Sequence, residues 1–84
     1  MWRKEEVTYR IVDSFGVIST RTDRNGNEWS KEVNIVAWNN NPPKVDIREW
    51  DSDHSKCGKG ITLTFDEAEK VADALNHIIA ERGE

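Results

Sequence analysis

Trp38 and Trp50 flank Lys44 and Arg48, with Asn34 just upstream, in two segments where β-branched residues alternate with polar ones. Aromatic rings beside cations are what unpaired nucleic-acid bases need. Every base has a π-face worth about 1–3 kcal/mol on stacking, while Lys and Arg hold the phosphates. Lys56 and Lys59, in the polar stretch that follows, extend such a track. Trp29 can close a hairpin or enlarge the aromatic platform, and Arg21 and Arg24 flank an Asn-Gly turn where exposed charge is ordinary. The competing reading is that Trp38 or Trp50 fills the core of a dimer. Pattern alone leaves both open.

Other constellations carry less. Asp51-Ser52-Asp53-His54-Ser55 opens like a calcium loop, but Lys56 stands where the turn glycine belongs and Thr62 where the bidentate glutamate belongs. His54 and Cys57 have no orienting third group, so a nucleophile and base are not expected there. Gly58-Lys59-Gly60-Ile61 lacks the spacing of a phosphate loop, and its glycines suggest turn geometry. No acid/base pair with supporting neighbours is visible, so no enzymatic activity, cofactor or metal is expected.

The elements that must position these residues follow from periodicity. Val7 to Val12 and Val17 to Thr22 read as two short strands separated by Asp13-Ser14 and Gly16. Asn25-Gly26 predicts a tight turn into a strand over Glu28 to Trp38, because both residues tolerate positive φ. Asn39 to Pro43 reads as a loop, Lys44 to Trp50 as a strand, Asp51 to Lys59 as a second loop and Ile61 to Thr64 as a short strand. Thr64-Phe65-Asp66-Glu67 is a capping box. Ala68, Val71, Ala72, Leu75, Ile78 and Ile79 then align on one stripe of a helix that Gly83 can end. The expected architecture is α+β: a curved antiparallel sheet of four to five strands over residues 6–64, then one amphipathic helix over residues 65–82. Trp2 is expected in a loose N-terminal segment.

Strand alternation sorts the faces. With Trp38 opposite Lys44, one face carries Val33, Ile35, Ala37, Val45 and Ile47 and is the expected core. The other shows Glu32, Asn34, Val36 and Trp38 beside Lys44, Asp46, Arg48 and Trp50. Two tryptophans on an exposed face imply a use for them, either a partner surface or a stacking platform.

Eighty-four residues suit a single domain spanning 1–84, with a core thin enough that dimerisation would relieve it. The net charge of −4 is unevenly spread, since residues 1–60 hold ten Lys/Arg and ten Asp/Glu while residues 61–84 hold two and six. A charge-balanced first part can still present a basic face. One cysteine, Cys57, forms no internal disulfide and, with two histidines, closes no zinc site. The N-terminus MWRKEEVTYR carries acids where a signal peptide needs an apolar stretch, so a cytoplasmic protein without membrane contact is expected.

Three strings, Val33-Asn34-Ile35-Val36-Ala37-Trp38, Val45-Asp46-Ile47-Arg48-Glu49-Trp50 and Gly58-Lys59-Gly60-Ile61-Thr62-Leu63-Thr64, resemble the single-stranded-DNA-binding domain of the positive cofactor four family of transcriptional coactivators. The N-terminal hairpin and Pro-Pro-Lys-Val-Asp-Ile-Arg-Glu-Trp look closest to its small bacterial, YdbC-like branch. The resemblance implies a homodimer with paired helices, whose sheets form grooves that bind single strands with little sequence preference. It places Trp38 at a base-stacking position, Arg48, Lys56 and Lys59 at basic positions of the strand and loop, and Lys31 at a basic position opening the third strand. Trp50 matches an aromatic, although the family's second stacking tryptophan falls on Asp51. The loop from Asn39 to Pro43 is uncharged where eukaryotic members carry lysines, and Val36 replaces an arginine. The implied ligand is single-stranded DNA, with RNA as the related possibility, and the implied partners are transcription or repair machinery, in activation or repression. The alternative expectation is a protein-interaction module whose tryptophan face docks a partner chain without nucleic acid.

Overall fold

A computed structural model of the chain describes residues 7–83; Trp2 lies outside them. The chain forms an antiparallel meander of β1 (Tyr9–Thr22), β2 (Glu28–Trp38), β3 (Lys44–Asp51) and β4 (Cys57–Leu63) in that spatial order, followed by α1 (Phe65–Arg82). This is the expected α+β arrangement, with four strands.

The Asn-Gly turn forms, with Gly26 and not Asn25 taking the positive φ. Gly26 takes φ 87°, and its N–H donates to the Asp23 carbonyl at 3.0 Å. The Asp23 carboxylate accepts the N–H groups of Asn25 and Asn27, both at 2.9 Å. A hydrogen bond from the Trp29 side chain, first of all, and then those two bonds hold its pKa below the ordinary value.

The two expected N-terminal strands are one. Asp13, Ser14 and Gly16 do not turn the chain but are absorbed into β1 as register slips, between Ile11 and Asp13, Ser14 and Gly16, and Val17 and Ser19. Each such bulge bends a strand and raises its right-handed twist. Three in succession coil β1 over one face of the sheet.

Two further expectations need correction. The β2–β3 register puts Val36, not Trp38, opposite Lys44, and Trp38 pairs with Tyr9 on β1 instead. Asn39 and Asn40 adopt φ 51° and 69°, and Pro42 and Pro43 cannot donate to a ladder, so pairing starts two residues later. A shift of two keeps every side chain on its assigned face. The Gly58-Lys59-Gly60 segment lies within β4 rather than in a loop. A Cβ on Gly60 would collide with Arg48 Cβ and the Ile47 carbonyl, so the glycine serves close approach of β4 to β3.

The face expected to be core is the more open one. Ala37 is buried as expected, but Val33, Ile35, Val45 and Ile47 are only half-buried, whereas Glu32, Asn34, Val36, Asp46 and Trp50 on the other face are buried. The coiled β1 closes over that second face, while α1 covers little of the first. Ala68 and Val71 are half-buried, but Leu75, Ile78 and Ile79 are exposed, so helix contact is confined to its first turns against β3 and β4. The capping box is formed: the Glu67 N–H donates to Thr64 Oγ1 at 3.1 Å, and the Thr64 N–H donates to Glu67 Oε1 at 2.9 Å. Among the described residues no helix is long and apolar enough to cross a membrane.

Candidate nucleic-acid interface

At the centre of the closed face lies Asp46, fully buried on β3. An isolated carboxylate there would be costly, and four donor contacts compensate it. Arg48, two residues along the same face, donates Nε–H to Oδ1 at 2.6 Å and Nη2–H to Oδ2 at 3.0 Å. Trp38 Nε1–H donates to Oδ2 at 3.2 Å, and the Thr62 hydroxyl on β4 donates to Oδ2 at 2.8 Å. The hydrogen bonds that Arg48 itself makes to Asp46 push its pKa further up and keep the guanidinium charged.

One carboxylate therefore orients both a cation and an indole. Arg48 Cζ lies 4.8 Å from the centroid of the Trp38 ring, a cation–π contact. The Trp38 ring stacks on Trp50 with centroids 6.1 Å apart and planes within 10°. Tyr9 leans on both indoles, at 5.7 Å from Trp38 and 5.1 Å from Trp50. Its hydroxyl donates to the carbonyl of His54.

His54 is the loop residue that ties this cluster down. It takes φ 60°, a left-handed conformation uncommon outside glycine but adopted by histidine more often than by most side chains. Its ring sits 5.6 Å from Trp50, and its Nε2 is 3.0 Å from both oxygens of Glu32. Burial pushes the Glu32 carboxyl up, but hydrogen bonds from Ser30, Asn34 and His54 outweigh it and hold the pKa below the ordinary value.

The residues proposed from sequence separate by face. Trp38, Arg48, Asn34, Lys44 and Trp50 do share one, as alternation required. Trp38 is half-buried and Lys44 exposed at the start of β3. Trp50, expected on an exposed face, is fully buried beneath Trp38 and Tyr9 and offers no ring to a ligand. Asn34 is buried as well, its Nδ2 donating to Glu32 at 3.1 Å. Arg21, Trp29 and Lys31 lie on the opposite face. Arg21 is clamped by Glu49 through two bonds of 2.8 Å and sits 5.7 Å over Trp29, whose Nε1–H donates to Asp23 at 3.0 Å. Trp29 thus closes the hairpin rather than extending the platform. Lys31 pairs with Glu49 across the ladder. Lys56 and Lys59 are exposed, on the β3–β4 turn and on β4.

Sequence reasoning passed over Tyr9 and the supporting roles of Asp46, Thr62 and His54. Tyr9 was hidden by the three bulges of β1, which break a simple count of alternation. Asp46 had a visible signal, since an acid two residues before an arginine on one strand shares its face.

The chain is 42% identical over 72 residues to an uncharacterized protein of Treponema pallidum (strain Nichols), a match that covers 86% of this chain and 80% of the relative. Residues 26–74, more than half of the chain and including all of β2, β3 and β4, match the profile described as Transcriptional Coactivator p15 (PC4). The resemblance read in the strings around Trp38, Arg48 and Lys59 is therefore one of descent, and the chain belongs to the Transcriptional Coactivator p15 (PC4) family.

Proposed function

We propose that this protein is a non-enzymatic, homodimeric single-stranded-DNA-binding protein that acts in transcription or DNA maintenance in the cytoplasm, at the nucleoid. The observation that carries the reading is Arg48 held over the Trp38 ring by the buried Asp46, on a face whose rim carries exposed Lys44. A prearranged aromatic and cation pair suits an unpaired base, and exposed lysines suit the backbone. Family membership supports the same class of ligand. The bound strand runs along the open rim at Trp38, with Lys44 as its phosphate contact on that face and Lys56 and Lys59 as contacts at the β3–β4 turn and on the edge strand β4. Arg21, Trp29 and Lys31, on the opposite face, take no part.

Dimerisation is supported by what α1 leaves uncovered. Phe65, Leu75, Ile78 and Ile79 are all more than half exposed, beside a sheet face whose valines and isoleucines are only half-buried. An apolar helix stripe of this kind is normally buried, and a second copy of the chain supplies the same stripe in return.

The test is a fluorescence titration with a fluorescein-labelled oligo-dT of about 20 nucleotides, beside the matching duplex and the RNA of the same sequence. The expected result is salt-sensitive binding to the single strand and weak binding to the duplex. Absence of single-strand binding at low salt overturns the reading and turns the search to protein partners of the Trp38 surface.

A further inference from the structure

The hydrogen bonding of Arg48 does not suit a phosphate contact. Its guanidinium has five N–H donors. Nε and Nη2 bind Asp46, Nη1 donates to the Gly58 carbonyl at 3.2 Å, and Nη2 also reaches Thr62 Oγ1 at 3.3 Å. All three nitrogens are engaged, and the side chain is only 15% exposed. Its charge is matched at contact distance by a carboxylate with no exposure at all. A cation tied in this way presents a phosphate with neither a free fork of donors nor an uncompensated charge.

What Arg48 leaves within reach of a ligand is the small exposed part of a flat group whose Cζ lies 4.8 Å from the Trp38 ring centroid. Guanidinium planes stack on aromatic faces and on bases. The contrast with the lysines is direct, because Lys44 and Lys59 are exposed and enter no ion pair among the described residues. Resting on the single-strand-binding reading above, we propose that Arg48 is a stacking plane for an unpaired base and makes no phosphate contact. Asp46 is its positioning residue, bonded to both the guanidinium and the indole.

Phosphate contacts and stacking contacts separate in a salt series. Each phosphate contact on a single strand adds about 0.7 to the slope of log affinity against log salt, whereas stacking adds nothing to it. Lys44→Ala and Lys59→Ala are each expected to lower that slope by about 0.7. Arg48→Lys keeps the charge and loses the plane, and is expected to weaken oligo-dT binding between about 5-fold and 150-fold with the slope unchanged. The paired variant Asp46→Asn/Arg48→Gln removes both charges while keeping hydrogen-bonding groups. It is expected to lose affinity in the same range, again with the slope unchanged, and it carries the test if Arg48→Lys fails to fold by circular dichroism.

Arg48→Lys binding as tightly as the unmodified chain overturns the proposal. So does a slope that falls by about 0.7 in the paired variant. In either case single-strand binding itself stands. An unmodified chain that binds no single strand overturns the proposal together with the reading on which it rests.

Discussion

Trp38 and Trp50 stand at opposite ends of the β2–β3 ladder, yet their rings stack 6.1 Å apart. The position facing Trp38 on β3 would lie eight residues from Trp50, about 26 Å along a flat strand at 3.3 Å per residue. Only a strongly coiled sheet brings them together. The three bulges of β1 supply that coil, and the hydroxyl of Tyr9 pins it to the carbonyl of His54. The two tryptophans, equivalent in the strand pattern, therefore differ in role: Trp50 is core and Trp38 is rim.

That difference is measurable as stability. Trp50→Ala removes a fully buried ring and is expected to cost about 3–5 kcal/mol in urea denaturation. Trp38→Ala, at a half-buried position, is expected to cost about 1–2 kcal/mol. Equal losses would contradict the assignment of Trp50 to the core.

Gly60→Ala tests the contact between β4 and β3. The added methyl meets Arg48 Cβ and the Ile47 backbone, which cannot give way as a flexible side-chain end would. A loss of about 1–3 kcal/mol is expected, with weaker amide protection in β4. A neutral substitution would show that the strands sit further apart.

Glu32 predicts a pH dependence. Although burial alone raises its pKa, its hydrogen bonds from Ser30, Asn34 and His54 leave it lowered in the folded chain. A lowered folded-state value means that its stability contribution is complete above the unfolded value, about 4.3. It is lost as the pH falls through the folded value. Urea midpoints should hold near neutral pH and drop below pH of about 4, with a smaller drop in Glu32→Gln. The remaining drop belongs to Asp23, Glu49 and Asp51, whose values are also lowered. An identical acid profile for Glu32→Gln would contradict this.

The exposed stripe of α1 gives a prediction about assembly. Ile78→Asp places a charge in the middle of it, five residues before the C-cap Gly83 and away from the sheet contacts. Sedimentation should show the unmodified chain as a dimer and this variant as a monomer with its helix intact. A dimer of unchanged affinity would place the contact elsewhere.

Much of this was legible in the sequence because local chemistry decided it. The helix begins and ends where Thr64, Glu67 and Gly83 place it, and Asp23 with Asn25-Gly26 makes the expected hairpin. The faces of β2 and β3 were readable too, since alternation survives a shift of two. What could not be read was which face would be closed. That depends on the coil of β1, and Asp13, Ser14 and Gly16, which lie among its three bulges, look like a turn when only residue types are counted. The split of the site residues was readable in part: alternation on β2 already sets Trp29 and Lys31 with Val33 and Ile35, away from Trp38, but the bonds of Arg21 to Glu49 and of Trp29 to Asp23 become clear only once the register is known.

The central claim is that the rim at Trp38 binds single strands, and Trp38→Ala in the labelled oligo-dT titration tests it most directly. The account predicts a loss of about 1–3 kcal/mol in affinity, with the oligomeric state by sedimentation unchanged. Undiminished binding, or a variant that loses its dimer along with its affinity, would contradict it.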